Sequence, residues 1–142
     1  MKTIQSIKAD FNLTPEDEKR LKELSNIMKD YADAFVKHLH RTLNNLHDPL
    51  IDRHLSSTEL YEHHRRWFID LFSGSYDEVY YQKLVAIGKK HVQFGINPHY
   101  INVAMNIIRD YVMDLFLDIF RNRRERVEFR KSFHKILSIN TD

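Results

Sequence analysis

The stretch Leu84-Val85-Ala86-Ile87-Gly88-Lys89-Lys90-His91-Val92-Gln93-Phe94-Gly95-Ile96-Asn97-Pro98 decides the reading of this chain. Leu84, Ile87, Gly88 and His91 recur at three and four residues, the spacing of one helical face. Gly88 stands three residues before His91 and Gly95 four after, so the spacing sets a glycine on either side of one imidazole. A glycine inside a helix costs about 1 kcal/mol against alanine. That cost is tolerated where something must approach the backbone closely. Two such positions around His91 lead us to expect a large, flat object lying against this face.

The same punctuation extends outward in both directions. Asn97-Pro98 opens a long apolar helix carrying Ile101, Ala104, Ile108, Tyr111, Leu115 and Ile119, and the basic run Arg121–Arg126 turns a corner into a last helix with Val127, Phe133, Ile136 and Leu137. Upstream, Asp77 opens the helix of His91, and Ser73-Gly74 stops the helix before it. That helix, capped by Ser57 or Thr58, has a core face of Leu60, His64, Trp67, Phe68 and Leu71, with His63 on its shoulder. Thr14-Pro15-Glu16-Asp17 is a helix start with a cap, a proline at the first position and acid at the positive dipole end. The stripe that follows, Leu21, Leu24, Met28, Tyr31, Phe35, Leu39, Leu43 and Leu46, is too long for one globular helix and predicts two, joined near Asp30. His47–Ser57, with Asp48-Pro49 inside it, predicts a connection holding a short helical turn. The expectation is one all-α domain over residues 1–142, of six helices or so.

Composition supports this and removes alternatives. Only 3 Gly and 3 Pro punctuate 142 residues, too few for the reversals of a sheet protein. Lys+Arg less Asp+Glu is 22 − 20 = +2, too balanced to announce a polyanion partner. With no cysteine there is no disulfide, thiolate metal site or thiol nucleophile. Asp110, Asp114 and Asp118 break the longest apolar stretch, and Met1–Asp10 has no leader-like core, so we expect no membrane span and a cytoplasmic protein. We expect no enzyme either. His-Glu-x-x-His and Gly-x-Ser-x-Gly are both missing, and no Glu stands three residues before any His as helical di-iron sites require.

Nine histidines remain. His38, His40, His47, His54, His99 and His134 lie at ends, in loops or without helical spacing to a partner, and His38 and His40, two apart, point away from each other. His91 differs because of its glycine neighbours. A haem fits that face: neutral imidazole is a good axial ligand, and non-covalent haem b needs no cysteine.

Trp67-Phe68-Ile69-Asp70-Leu71-Phe72-Ser73-Gly74-Ser75-Tyr76-Asp77, then Ile87-Gly88-Lys89-Lys90-His91, then Gly95-Ile96-Asn97-Pro98-His99-Tyr100, resemble the globin-coupled sensor and protoglobin family. Asp33-Ala34-Phe35 and Leu39 match its first long core helix more loosely. The resemblance covers most of the chain and implies a globin-like fold without the D helix, preceded by an N-terminal segment that residues 1–11 would supply. It implies haem b as cofactor, with His91 the proximal iron ligand. Phe35, Val36, Leu60, Trp67, Tyr76, Ile87, Gly88 and Tyr100 would line or support the pocket. The family often places a tyrosine that hydrogen-bonds bound oxygen where this chain has Val36, which has no donor. Counting back from Leu71-Phe72-Ser73-Gly74, the family position that faces the iron falls on His63. Helical periodicity alone favours His64. We expect His63 to ligate iron opposite His91, with a hydrogen bond to bound gas as its other possible task.

The resemblance further implies a sensor for O2, CO, NO or redox state that signals through its last two helices. We expect a homodimer through residues 98–120 and 126–139, since Met105, Met113, Phe116 and Phe120 offer more apolar surface than one core can bury. No output domain is expected within these residues, which end in Ile139-Asn140-Thr141-Asp142 just after the last helix. An electron-transfer globin, a weak peroxidase or an NO-detoxifying globin is the alternative function. A haem-free adaptor or nucleic-acid binder is the third, resting on Arg121–Arg126; Glu125 and Glu128 interrupt that run and no aromatic residue interleaves it.

Overall fold

The computed structural model describes residues 2–141, and every structural statement below concerns these. They form α1 (Ile4–Asp10), α2 (Pro15–Glu23), α3 (Ser25–Lys29), α4 (Ala32–Asn44), α5 (Pro49–Leu55), α6 (Thr58–Leu71), α7 (Glu78–Gln93), α8 (Pro98–Ile119) and α9 (Arg123–Thr141). The expected helix starts are seen with their caps. Thr14, Asp48, Ser57, Asp77 and Asn97 each accept a backbone N–H of the first turn, and Pro15, Pro49 and Pro98 take the first helical position.

More helical segments form than the sequence predicts, for local reasons. The N-terminal segment is itself a helix, closed by a reciprocal Thr3–Ser6 cap, and it buries Ile4 and Ile7. The stripe from Leu21 to Leu46 bends twice. Leu24, Asp30 and Tyr31 keep right-handed backbone angles, but their N–H groups bond three residues back, to Leu21, Ile27 and Met28. Such tightened turns bend a helix without proline or glycine.

The core gathers Leu21, Met28, Phe35, Val36, Phe68, Phe72, Ile108, Val112, Phe116, Phe133 and Ile136. At its centre α4 packs on α5, α6 and α8, while α9 lies against α2 and α8. Phe35 stacks on Phe68 at 4.5 Å and Phe72 on Phe133 at 5.9 Å, tying α4 to α6 and α6 to α9. After α6 the chain turns at Gly74 (φ +77°), where an added Cβ would run into Lys22 Cβ on α2. Only glycine fits there on both counts.

One ionic contact reaches into this core. Asp17 is 2% exposed, yet it caps α2 and accepts from the Ser132 hydroxyl (2.6 Å) and the Lys135 ammonium (2.7 Å) of α9. Burial on its own would raise its pKa. Lys135, Ser132 and Thr14 outweigh that and hold it at about 2, against 3.8 ordinarily. A depressed acid stabilises the fold above its unfolded pKa and loses that contribution as pH falls through the folded one. The shift corresponds to roughly 2 kcal/mol at neutral pH. Urea unfolding should therefore show Asp17→Asn weaker by about that amount at pH 7. The gap should close between pH 4 and pH 2; an undiminished gap at pH 2 would contradict the assignment.

Candidate functional site

The residues singled out in the sequence lie on α4, α6, α7 and α8, with Tyr76 between α6 and α7. α7 is held differently from its neighbours: of its 16 residues only Tyr80 is buried. Leu84, Ile87 and His91 are half-buried, and a Cβ built on Gly88 would meet nothing within 4 Å. The helix thus presents a bare backbone patch and an imidazole on one apolar face. Burial pushes the His91 pKa down, so the ring is neutral and able to donate a lone pair at physiological pH.

Gly95 has another task than the one expected of it. Its φ is +67°, the Ile96 N–H reaches the His91 carbonyl (3.0 Å) and the Gly95 N–H reaches Val92 (3.1 Å). This is the left-handed ending of a helix, which favours glycine without any ligand. Gly88 alone keeps the close-approach reading.

Across from α7 stands α6. His64 faces inward: burial pushes its pKa down to about 3, and His40, His91 and His63 push it the same way. It is therefore a neutral imidazole within electrostatic reach of His91. His63, the residue expected opposite His91, lies on the outer flank of α6. Its side chain is 50% exposed and its Nε2 sits 3.7 Å from Glu59 Oε1. One residue is about 100° of helix, so His63 and His64 point to different sides of α6, whose buried stripe runs through Phe68 and Leu71.

The other expected residues divide into lining and bracing. Phe35 and Val36 are buried on α4, and Val36 brings no donor. Leu60 is half-buried in the first turn of α6. Tyr100, in the first turn of α8, borders a cavity of about 160 Å³ with Asp48, Gly95 and Asn97. Trp67 and Tyr76 are braces. The Trp67 indole N–H donates to Asn140 Oδ1 (3.0 Å), and Asn140 Nδ2 donates to the Tyr80 hydroxyl (2.8 Å). Tyr76 is buried edge-on to Tyr80 and donates to the Leu71 carbonyl at the end of α6.

One residue of this neighbourhood escapes a reading of the sequence. His40 Nε2 lies 2.7 Å from His64 Nδ1. No other histidine stands at helical spacing from His40, but Val36, His40 and Leu43 are four and three apart. That spacing puts it on the inner face of α4.

These donors suit an axial pair better than a metal ion held by side chains alone. Among the described residues no three His, Asp or Glu converge as such an ion requires. Two neutral imidazoles, a bare glycine between apolar side chains and a half-open face do fit a flat macrocycle with axial ligands. Also among the described residues, no helix is long and apolar enough to cross a membrane.

Comparison with known proteins identifies the family and the fold. The family model described as Protoglobin matches residues 1–142. The globin domain of the Geobacter sulfurreducens globin-coupled sensor superposes with a TM-score of 0.92 at 36% identity, over 100% of this chain and 95% of that one. The E. coli DosC globin domain shares the fold. Its ferric form gives a TM-score of 0.76 at 16% identity, covering 96% of this chain and 95% of that one. Its ferrous form gives 0.71 at 15%, covering 96% and 98%. Among curated proteins no sequence matches. A full-length family match, together with a 36% identical relative of the same fold, establishes that the chain belongs to the protoglobin family and has the haem-binding globin fold which that membership implies.

Proposed function

We propose that this chain is a haem b-binding sensor globin domain, not an enzyme, in which His91 is the proximal iron ligand and a histidine of α6 is the distal one. The observation that carries it is the pair of neutral, inward imidazoles on α6 and α7, with the bare Gly88 backbone beside one of them. When bound, haem b supplies an iron that accepts an imidazole or a diatomic gas (O2, CO or NO) at its axial positions. Burial favours His64 over His63 for the distal place. Val36 leaves the α4 side without a hydrogen-bond donor for bound gas. Should His64 hold the iron, a diatomic gas would compete with it, and the fraction of protein that releases His64 would set the apparent affinity. The 36% identical relative is named a globin-coupled sensor, which supports a signalling role. An electron-transfer or weak redox, NO-detoxifying globin is the second reading, favoured by imidazoles on both sides of the iron.

Haem-reconstituted protein should show sharp, low-spin ferrous bands without added ligand. His91→Ala should lose the Soret absorption, and His64→Ala should turn to a broad high-spin band. His63→Ala should match the wild type; low-spin bands lost in His63→Ala and kept in His64→Ala would restore His63 to the distal place. Displacement by CO at physiological gas pressures separates the sensor from a pure electron carrier, which should resist it.

Gly88 gives an independent test. Without haem, Gly88→Ala should raise stability by up to about 1 kcal/mol, because alanine favours the helix and the new Cβ meets nothing. With haem the same change should weaken binding. Equal haem affinity in both proteins would show that nothing packs against this backbone.

A homodimer through residues 98–120 and 126–139 is part of the proposal, on a narrower surface than the sequence predicts. Phe116, Phe120, Phe133 and Leu137 are buried within the chain itself, Phe116 against Phe133 and Phe120 against Phe129. What α8 leaves outside is Leu117, 59% exposed, with Met113 half-buried one turn before it. Sedimentation at micromolar concentration should give a dimer for the wild type and a monomer for Leu117→Lys. A monomeric wild type would remove the dimer from the proposal.

A further inference from the structure

We propose that His40 is the positioning residue of the distal imidazole, holding His64 in the one tautomer and ring orientation that leaves Nε2 free for iron. The inference rests on the proposed ligation of iron by His64.

The two rings meet through His40 Nε2 and His64 Nδ1 at 2.7 Å, with their planes 80° apart. Two ring nitrogens this close need a proton on one and a lone pair on the other, so the bond has one donor and one acceptor. An imidazole that ligates through Nε2 must offer its lone pair there and carry its proton on Nδ1. His64 is then the donor, His40 Nε2 the acceptor, and the proton of His40 sits on its own Nδ1. The opposite assignment puts a proton on His64 Nε2, which bars ligation and leaves an N–H for bound gas. The direction of one hydrogen bond therefore decides between ligand and gas partner, and His40 is the group that sets it.

The surroundings of His40 suit an acceptor held in place. The Tyr61 ring meets it edge-on at 5.9 Å. Tyr61 is in turn fixed by its hydroxyl on Asp33 Oδ1 (3.1 Å), which the Arg65 guanidinium also reaches (3.2 Å). On its other side His40 borders a cavity of about 340 Å³ shared with Asn44, Asp52 and Ser56. Asp33, Tyr61 and His40 form a brace from the surface of α4 and α6 to the distal imidazole.

The test compares wild type, His64→Ala, His40→Leu and His40→Gln after haem reconstitution. In His40→Leu the Nδ1–H of His64 has no acceptor, and CO association limited by His64 departure should speed up about 10- to 100-fold. The high-spin fraction should rise with it. In His40→Gln the amide oxygen accepts the same bond, and the rate should return to within a few-fold of wild type. Nitrogen NMR of the haem-free wild type, with labelled histidine, should report the Nδ1–H tautomer for His64; this readout needs neither haem nor a variant that folds. A low-spin wild type whose CO rate is untouched by His40→Leu would overturn the positioning role and leave His64 as ligand. An Nε2–H tautomer at His64 would overturn it as well. A high-spin wild type would overturn the ligation itself, and the positioning role with it.

Discussion

One side-chain amide ties both histidine helices to α9. Asn140, near the end of α9, accepts from Trp67 on α6 and donates to Tyr80 on α7 and to its own helix at Ile136. Trp67 lies one helical turn beyond His64, and Tyr80 is the only buried residue of α7. Both helices are thus referenced to α9 at a single point. Asn140 is half-buried, and withdrawing an amide from water is costly unless its groups are paired; here both its oxygen and its nitrogen are. Apolar packing could hold α6 and α7 near α9 at a range of spacings. Two directional bonds of 3.0 and 2.8 Å to the same residue fix one.

That constraint lets α7 stay lightly packed elsewhere. Its start is fixed by the Asp77 cap, its first turns by Tyr80, and its end by the left-handed turn at Gly95. Between them, Leu84, Ile87, Gly88 and His91 contribute little to the core of the chain itself. Segments with few buried apolar contacts lie at the low end of local stability. For a ligand-binding helix this is an advantage, since its apolar face gains most when something flat is laid against it. α8 is the opposite case: Ile108, Val112 and Phe116 are buried outright, and it acts as the fixed floor for α4 and α9.

The fold is legible in the sequence because its punctuation is sparse and each mark has one mechanism. Asp77, Asn97-Pro98 and Thr14-Pro15 are caps and first-turn prolines, and each opens a helix where it should. The bends at Leu24 and Tyr31 are half legible. An apolar stripe too long for one helix announces a break, but a break made of ordinary right-handed residues leaves no mark at its position. At the site, His91 stands out through its glycine neighbours, although Gly95 serves to end the helix. His63 and His64 differ by one step of helical phase, and the motif count and the buried stripe of α6 choose differently between them. His40 is hidden because its partner is on another helix, and pairings across helices depend on packing that spacing within one segment does not contain. Phe116 and Phe120 look like surplus surface only while Phe129 and Phe133 are counted as part of a separate helix face.

His40 and Asn140 hold α6 at two points, and on the proposed ligation each would act on the distal place differently. The imidazole contact acts on a ring at the centre of the site, and the indole contact acts on the helix that carries it, one turn away. A net hydrogen bond of this kind contributes about 1 kcal/mol. Driving a two-state equilibrium from one side nearly to the other takes about 5.5 kcal/mol. Neither bond by itself can hold the distal helix closed against a strongly binding gas, and neither is strong enough to lock it open. On the proposed ligation, most of the free energy that closes the site would have to come from the iron that His64 would hold. The protein's own bonds then set where the balance lies and leave it within reach of the ligand. This is the condition a sensor needs, and it follows from bonds of modest strength arranged on a helix pair that is referenced at one point and lightly packed elsewhere.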